Sequence, residues 1–292
     1  MATEQYFHQT VGTPEERKKI AQAIPQRAPA RPRQPRKLLV VTLNMRNGAP
    51  ASGHPAIGYG NLALELMGRA TGAYEAVFDN ALARFQPAAL AEFDAICFNN
   101  TCGNLFDDAH LRQALLDYIA GGKGFIGLHA AAATFVQWPR YDIWPAFSEM
   151  LGATENSGHP WKPHETIVLS PEDADHPINA PFGGASFEIC DEVFQFQQPY
   201  SREKLRVLLS IDTTKTDMNP ARRFLPERFA DKDFAISWIR TYGAGRVFYS
   251  SLGHNPHIFW NAPVLAHFLA GIQYCLGDLA ADATPRPAPT RV

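Results

Sequence analysis

The chain is predicted to be an α/β protein with a mainly parallel central sheet, and three stretches carry that prediction. LLVVTL (Leu38 to Leu43), FDAICFN (Phe93 to Asn99) and GFIGL (Gly124 to Leu128) are short apolar runs, long enough for buried strands and too short for helices. Segments with helical spacing separate them. Strand, helix, strand, helix, strand in that order implies parallel pairing with right-handed crossovers. The third run ends at one polar side chain, His129, followed by four alanines, residues small enough to pack tightly where a helix begins above a sheet. His129 is therefore placed at the carboxyl edge of the sheet, where open α/β folds bind ligands.

Taken in order, residues 1–36 form an N-terminal arm. EERKK favours a helical turn or two, and the prolines of IPQRAPARPRQPR, spaced among arginines, favour an extended segment, because proline fixes φ and removes a donor. A basic arm of this kind binds nucleic acid or lies against the body or a neighbouring subunit; the packing arm is the preferred reading. Residues 37–280 form the folded domain. Its first strand leads into NMRNGAPASGHP, which sets Asn44, Arg46, Asn47 and His54 near a carboxyl strand end. Ile57 to Ala70 has helical spacing, Tyr74 to Phe78 reads as a second strand, and Pro87 to Leu90 starts a short helix.

The strand Phe93 to Asn99 delivers Asn99, Asn100, Thr101 and Cys102 to the same edge. Asp107 and Asp108 favour a helix start by capping and charge, and Gly121 and Gly122 favour its end. Beyond His129, Trp138 to Phe147 reads as an aromatic, proline-punctuated wall, and Phe147 to Leu151 as a helix ended by Gly152. Glu165 to Leu169, Phe187 to Phe196 and Arg206 to Ile211 alternate as strands do. Phe234 to Thr241 and Arg246 to Ser251 flank a glycine turn as a hairpin. Asn261 caps a closing helix with Pro263 just inside, and the Ala/Pro-rich tail, 281–292, is expected to be loose.

With 46 % hydrophobic and 19 % charged residues in 292, the chain suits one large domain. A net charge of -2 gives no basis for a nucleic-acid or membrane partner and fits a small, neutral or mildly polar ligand. Cys97, Cys102, Cys190 and Cys275 form no CxxC pattern and read as reduced thiols. No signal-peptide core or bilayer-length apolar run occurs, so cytoplasmic residence is the expectation. Gly121, Gly122 and Gly124 precede a strand instead of joining strand to helix, and no Walker A occurs, so no nucleotide cofactor is expected.

Six of the ten histidines, His54, His129, His159, His164, His176 and His254, fall in loops at motif positions. Imidazoles gathered at a pocket serve acid–base chemistry or a divalent transition metal, and Asp191 or Glu192 could complete either set. His159 and His164 are five apart across two prolines, unlike the helical histidine pair of a zinc protease. His176 fits a turn before Pro177 equally well. Asp191 and Glu192 are adjacent, so on a strand they face opposite ways. Trp138 and Trp161, in loops, are expected to offer flat faces to a sugar ring.

GKGFIGLHAAAATF, SGHPWKPHETIVLSPEDADHPI, FEICDEVFQF and SWIRTYGAGRVFYSSLGH, in that order, together with the GHP at Gly53 to Pro55, resemble the ThuA-like (trehalose utilisation) family from about Arg36 to Leu276. The resemblance implies a class I glutamine amidotransferase-like fold, a flavodoxin-like three-layer sandwich, in a protein of sugar catabolism acting on disaccharides or their keto derivatives. Where amidotransferases carry a nucleophilic cysteine between glycines, this chain has Gly127-Leu128-His129-Ala130-Ala131. An imidazole there has no comparable route to a stable acyl intermediate, so glutaminase chemistry is not expected. Proton transfer, carbonyl polarisation or metal binding are open to it.

The expectation is therefore an enzyme acting on a disaccharide or keto-sugar by isomerisation, elimination or hydrolysis. His129, Glu192 (favoured by the family pattern) and His254 are its catalytic candidates. Substrate contacts are assigned to His54, Asn99, Asn100, Trp138, His159, Trp161 and His164. The metal is left open, and the proline-rich arm is compatible with a homo-oligomer. A non-catalytic carbohydrate-binding or assembly domain on the same fold is the alternative.

Overall fold

Residues 11–137, 142–155 and 158–288 are described by a computed structural model. In chain order its main elements are α1 (Pro14–Ala23), β1 (Lys37–Val41), α2 (Ile57–Thr71), β2 (Glu75–Phe78), β3 (Ala95–Asn99), α3 (Ala109–Ala120), β4 (Gly124–Leu128), α4 (Pro145–Leu151), β5 (Thr166–Pro171), β6 (Phe187–Cys190), β7 (Arg206–Ile211), β8 (Ala235–Tyr242), β9 (Gly245–Ser250) and α5 (Ala262–Cys275). The nine strands form one sheet in the order β6-β5-β7-β8-β9-β4-β3-β1-β2. From β2 to β9 the neighbours pair in parallel. Beyond β9 the sheet continues through antiparallel pairs.

Side-chain alternation along the strands splits the core into two layers. Leu38 and Val40 of β1 and Ile126 and Leu128 of β4 pack with Ala63, Leu64 and Met67 of α2 and Val264, Leu265 and Phe268 of α5. Leu39, Val41 and Phe125 face the other way, onto Leu111, Leu115 and Ile119 of α3 and Phe147 and Met150 of α4. Each of the larger side chains, buried on folding, contributes about 1.5–3 kcal/mol before chain entropy opposes it. The result is the expected three-layer α/β sandwich. Asp108 caps α3 by accepting from the backbone N–H groups of His110 and Leu111, and Asn261 caps α5 by accepting from that of Val264.

Register places the site. Asn99 lies opposite Leu128 and Leu128 opposite Ser250, so Asn100, His129 and Ser251 leave three adjacent strands at one level. Two local expectations are corrected here. The alanine run after β4 is a 3-10 turn, His129–Ala133, rather than an α-helix. The Ala133 carbonyl accepts from Gly103 N–H (3.0 Å) and the Gly103 carbonyl from Phe135 N–H (2.7 Å), which pulls the chain into a bridge before a second turn can form. FEICDEVFQF is likewise not one strand: β6 ends at Cys190, and Phe196–Gln197 pairs separately with Thr154–Glu155.

In the arm, Thr13 and Glu16 form a capping box on α1, whose Ile20 is fully buried. Further on, Ala30 exchanges two backbone hydrogen bonds with the Gln273 amide of α5. At the other terminus the buried guanidinium of Arg206 donates to the Asp282 carboxylate (3.3 Å) and the Thr284 carbonyl (3.0 Å). Both terminal segments therefore have contacts with the domain. Among the described residues no helix is long and apolar enough to cross a membrane.

His267 joins α5 to the sheet, with Nδ1 2.9 Å from the Ile178 carbonyl and Nε2 2.9 Å from the Ser237 hydroxyl. Burial holds its pKa down to about 4, so between that value and the unfolded value near 6.5 only the unfolded chain binds the proton. Its contribution to stability is complete above about pH 6.5 and is lost as pH falls towards 4, about 3 kcal/mol in all. Urea midpoints at about pH 7.5 and about pH 5 are expected to converge in His267→Gln relative to the parent chain. An unchanged pH difference removes His267 from the account.

Candidate functional site

The site begins with the backbone of His129. Its φ is 46°, a left-handed conformation that costs an L-residue about 1–2 kcal/mol. Two bonds hold it there: Tyr249 donates its hydroxyl to the His129 carbonyl (2.8 Å), and His129 Nδ1 lies 2.8 Å from the Ser251 carbonyl. A carbonyl only accepts, so Nδ1 carries the proton and Nε2 presents a lone pair. Gly127, two residues earlier, must be small: a Cβ there would meet the Tyr249 ring at 3.0 Å and Ala131 at 3.2 Å. Phe194 stacks on the imidazole with centroids 4.5 Å apart. Burial, then the neighbouring His54 and His254, hold the His129 pKa well below its usual value, which keeps the ring neutral.

The lone pair of His129 points at His254. Nε2 of His129 and Nδ1 of His254 are 3.2 Å apart. Glu192 Oε1 lies 3.3 Å from His254 Nδ1, 3.8 Å from His129 Nε2 and 3.5 Å from His159 Nδ1. The other nitrogen of His159, Nε2, is 3.5 Å from the buried carboxylate of Glu155. His54 completes the group, its ring 4.9 Å from His129 and 5.0 Å from His254, centroid to centroid. Among the described residues the buried Nδ1 of His54 has no hydrogen-bond partner, a condition that costs about 1–3 kcal/mol unless a ligand relieves it.

The histidines differ in charge state. Burial lowers His54 to about 4, reinforced by the charge of His254. Burial also lowers His159, although Glu192 opposes it. At His254 burial acts downwards as well, but the hydrogen bond and charge of Glu192, with Asp191, outweigh it, and its pKa is raised. Glu192 is lowered in turn, since bonds and charges from His254 and His159 outweigh its burial. The set thus holds one imidazole, His254, whose protonated form an adjacent carboxylate favours, flanked by imidazoles whose burial favours the neutral form.

Asp191 builds the loop that carries His254. Its fully buried carboxyl accepts from the backbone N–H groups of Gly253 (2.7 Å), His254 (3.3 Å) and Asn255 (2.8 Å). Burial pushes its pKa up to about 7 while those three donors act downwards. Asn255 then donates its amide to the carbonyls of Pro163 (2.7 Å) and Cys190 (3.1 Å). Asp191 and Glu192 do face different ways, as adjacency implied, but from a loop after β6.

Of the residues expected at the site, the structure brings together His54, His129, His159, Glu192 and His254. Asn99 and Asn100 lie behind them, fully buried. Asn99 donates to the Ile57 carbonyl and to Asn61, and Asn100 to Asn99 and to the Gly253 carbonyl. Trp161 is a core residue, packed on Phe224 and Phe234 with its indole N–H donated to the Asp217 carbonyl. His164 is exposed and outside the cluster, and His176 bonds the Asp282 carbonyl. Trp138 lies outside the described residues. Sequence reading missed Glu155, behind His159, and Phe194, beneath His129. The alternation of FEICDEVFQF was the only signal for Phe194, and it pointed to a strand. Two cavities, of about 610 and 430 Å³, share Asn44, Gly53 and His54 as lining.

The chain is thus a three-layer α/β protein whose large, mostly parallel sheet presents a histidine at the carboxyl end of the central strand β4. The family profile for ThuA, trehalose utilisation, matches residues 40–275, and the chain belongs to that family. Among solved structures it is similar to a ThuA-like protein from Bacteroides uniformis, with 19% identity, a TM-score of 0.62 and coverage of 83% of this chain and 93% of that one. A ThuA-like protein from Parabacteroides merdae gives 16% identity, a TM-score of 0.55 and coverage of 88% and 95%. At these identities the likeness concerns the fold. No curated protein matches the chain significantly.

Proposed function

We propose that the chain is a carbohydrate-utilisation enzyme that moves a proton next to the carbonyl of a keto-sugar, opening the way to isomerisation or elimination. The observation that carries this reading is the convergence of His54, His129, His159, His254 and Glu192 at the carboxyl end of the parallel strands. Membership of a trehalose-utilisation family supports the substrate class. Enediolate formation requires a base for the α-proton and an electrophile for the carbonyl oxygen. His159, neutral and partly exposed, is the base, and Glu155 orients it. His254, cationic beside Glu192, is the electrophile. His129 touches no solvent and acts by positioning His254.

Incubated in deuterium oxide with a 3-keto-glycoside, the protein is expected to incorporate deuterium beside the carbonyl, and His129→Ala to lose at least about 100-fold of that rate. Absence of incorporation by the intact protein sinks the reading. Saturable binding of the sugar without turnover instead favours a non-catalytic carbohydrate-binding domain, the role open to a fold that has lost its usual nucleophile.

A further inference from the structure

We propose that His54, His129, His254 and Glu192 hold one divalent transition-metal ion, of which zinc is the reference case. The proposal rests on the site described above but not on its substrate. One potential ligand atom from each of the four residues lies within 4.8 Å of those from the others. For bonds of about 2.0–2.1 Å, a tetrahedral ion needs neighbouring ligand atoms about 3.4 Å apart. The observed separations are 3.2 Å for His129 Nε2 to His254 Nδ1, 3.3 Å for His254 Nδ1 to Glu192 Oε1 and 3.8 Å for His129 Nε2 to Glu192 Oε1. Three edges of such a polyhedron are therefore close to size.

The surroundings also match those of a ligating histidine. His129 gives its Nδ1 proton to a backbone carbonyl, which fixes the tautomer and aims the Nε2 lone pair at His254, as metal-bound imidazoles require. His54 brings a buried ring nitrogen that has no hydrogen-bond partner among the described residues. Three imidazoles and one carboxylate make a set suited to zinc, iron, cobalt or nickel. It is poorly suited to magnesium or calcium, which take oxygen ligands. An ion here would take the place of the proton between His129 and His254 as the positive charge beside Glu192, and with four protein ligands it would act on a carbonyl as a Lewis acid only by accepting the oxygen as a fifth ligand. His159 and Glu155 stay outside the ligand set and keep the proton-transfer role.

The test is a titration of chelator-stripped, substrate-free protein with cobalt(II), read by visible ligand-field absorption, with zinc and magnesium as competitors. One cobalt per chain is expected, displaced by zinc and not by excess magnesium. His54→Ala, His254→Ala and Glu192→Gln should each weaken binding by more than the roughly 10–100-fold that loss of an outer-shell partner costs. His110→Ala, which alters an exposed histidine on α3, should bind as the parent chain does. Circular dichroism of each variant checks folding, and Glu192→Gln preserves side-chain shape. No saturable absorption, or absorption unaffected by all three ligand variants, overturns the site. Cobalt binding without deuterium exchange leaves the ion site standing and removes the proposed chemistry. Exchange by stripped protein that binds no cobalt does the reverse.

Discussion

Asp191→Ala is expected to lose stability and activity together, with a drop in Tm on the order of 10 °C and little measurable turnover. The carboxyl is fully buried and accepts from three successive backbone N–H groups, those of Gly253, His254 and Asn255. Alanine leaves all three without an acceptor, at about 1–3 kcal/mol for each that water does not reach. Taking about 3–5 kcal/mol in total, and about 2–4 °C for each kcal/mol in a chain of this size, gives that shift. Activity falls because the same loop carries His254, and Gly253, at φ 127°, packs its Cα side against His129. Asp191→Asn retains one acceptor oxygen and should be intermediate on both measures. A parent-like Tm for Asp191→Ala in differential scanning calorimetry refutes this role.

The contrast between Asp191 and its neighbour shows what the sequence made legible. Strands, helices and their caps were readable because apolar period and capping chemistry are local. Asp108, Gly152 and Asn261 each terminate or start a helix as their types imply. The His129 elbow was readable for the same reason, since a strand ending in one polar residue has few other uses. The 3-10 turn after it was not. It depends on Gly103, some thirty residues earlier, and alanine propensity alone favours an α-helix.

Loop residues divided along the same line. His54, His159 and His254 could be nominated from residue type, but their meeting depends on strand register and on Asp191. Trp161 was assigned to the substrate because it lies in a loop, and Asn99 and Asn100 because they stand at the carboxyl end of a strand. The Trp161 indole N–H is donated to the Asp217 carbonyl and the amide N–H groups of Asn99 and Asn100 to the carbonyls of Ile57 and Gly253, while among the described residues the buried Asn100 Oδ1 has no partner. A loop position does not reveal where a side chain's hydrogen bond goes. Glu155 escaped notice altogether because nothing local distinguishes a buried carboxylate behind a histidine from an exposed one.

Glu192→Gln is expected to separate chemistry from stability, reducing the proposed keto-sugar turnover about 10²–10⁴-fold while leaving Tm within about 2–4 °C of the parent. One oxygen, Oε1, faces three histidines at 3.3, 3.5 and 3.8 Å. Its hydrogen bond and its negative charge are the main reasons that the His254 pKa is raised against burial. Glutamine keeps the volume and one acceptor but removes that charge, so His254 loses its proton more readily and the site is left with imidazoles that are all neutral. The electrophile for the carbonyl is then missing in the metal-free protein, and the carboxylate ligand is missing where an ion is bound. Either way turnover falls. Stability does not follow, because Glu192 anchors no backbone and its side chain keeps 16% of its surface exposed. Steady-state kinetics and calorimetry on the same preparation check both halves. A glutamine variant that turns over like the parent excludes Glu192 from the chemistry. One that loses Tm as Asp191→Ala does would make both neighbouring acids structural.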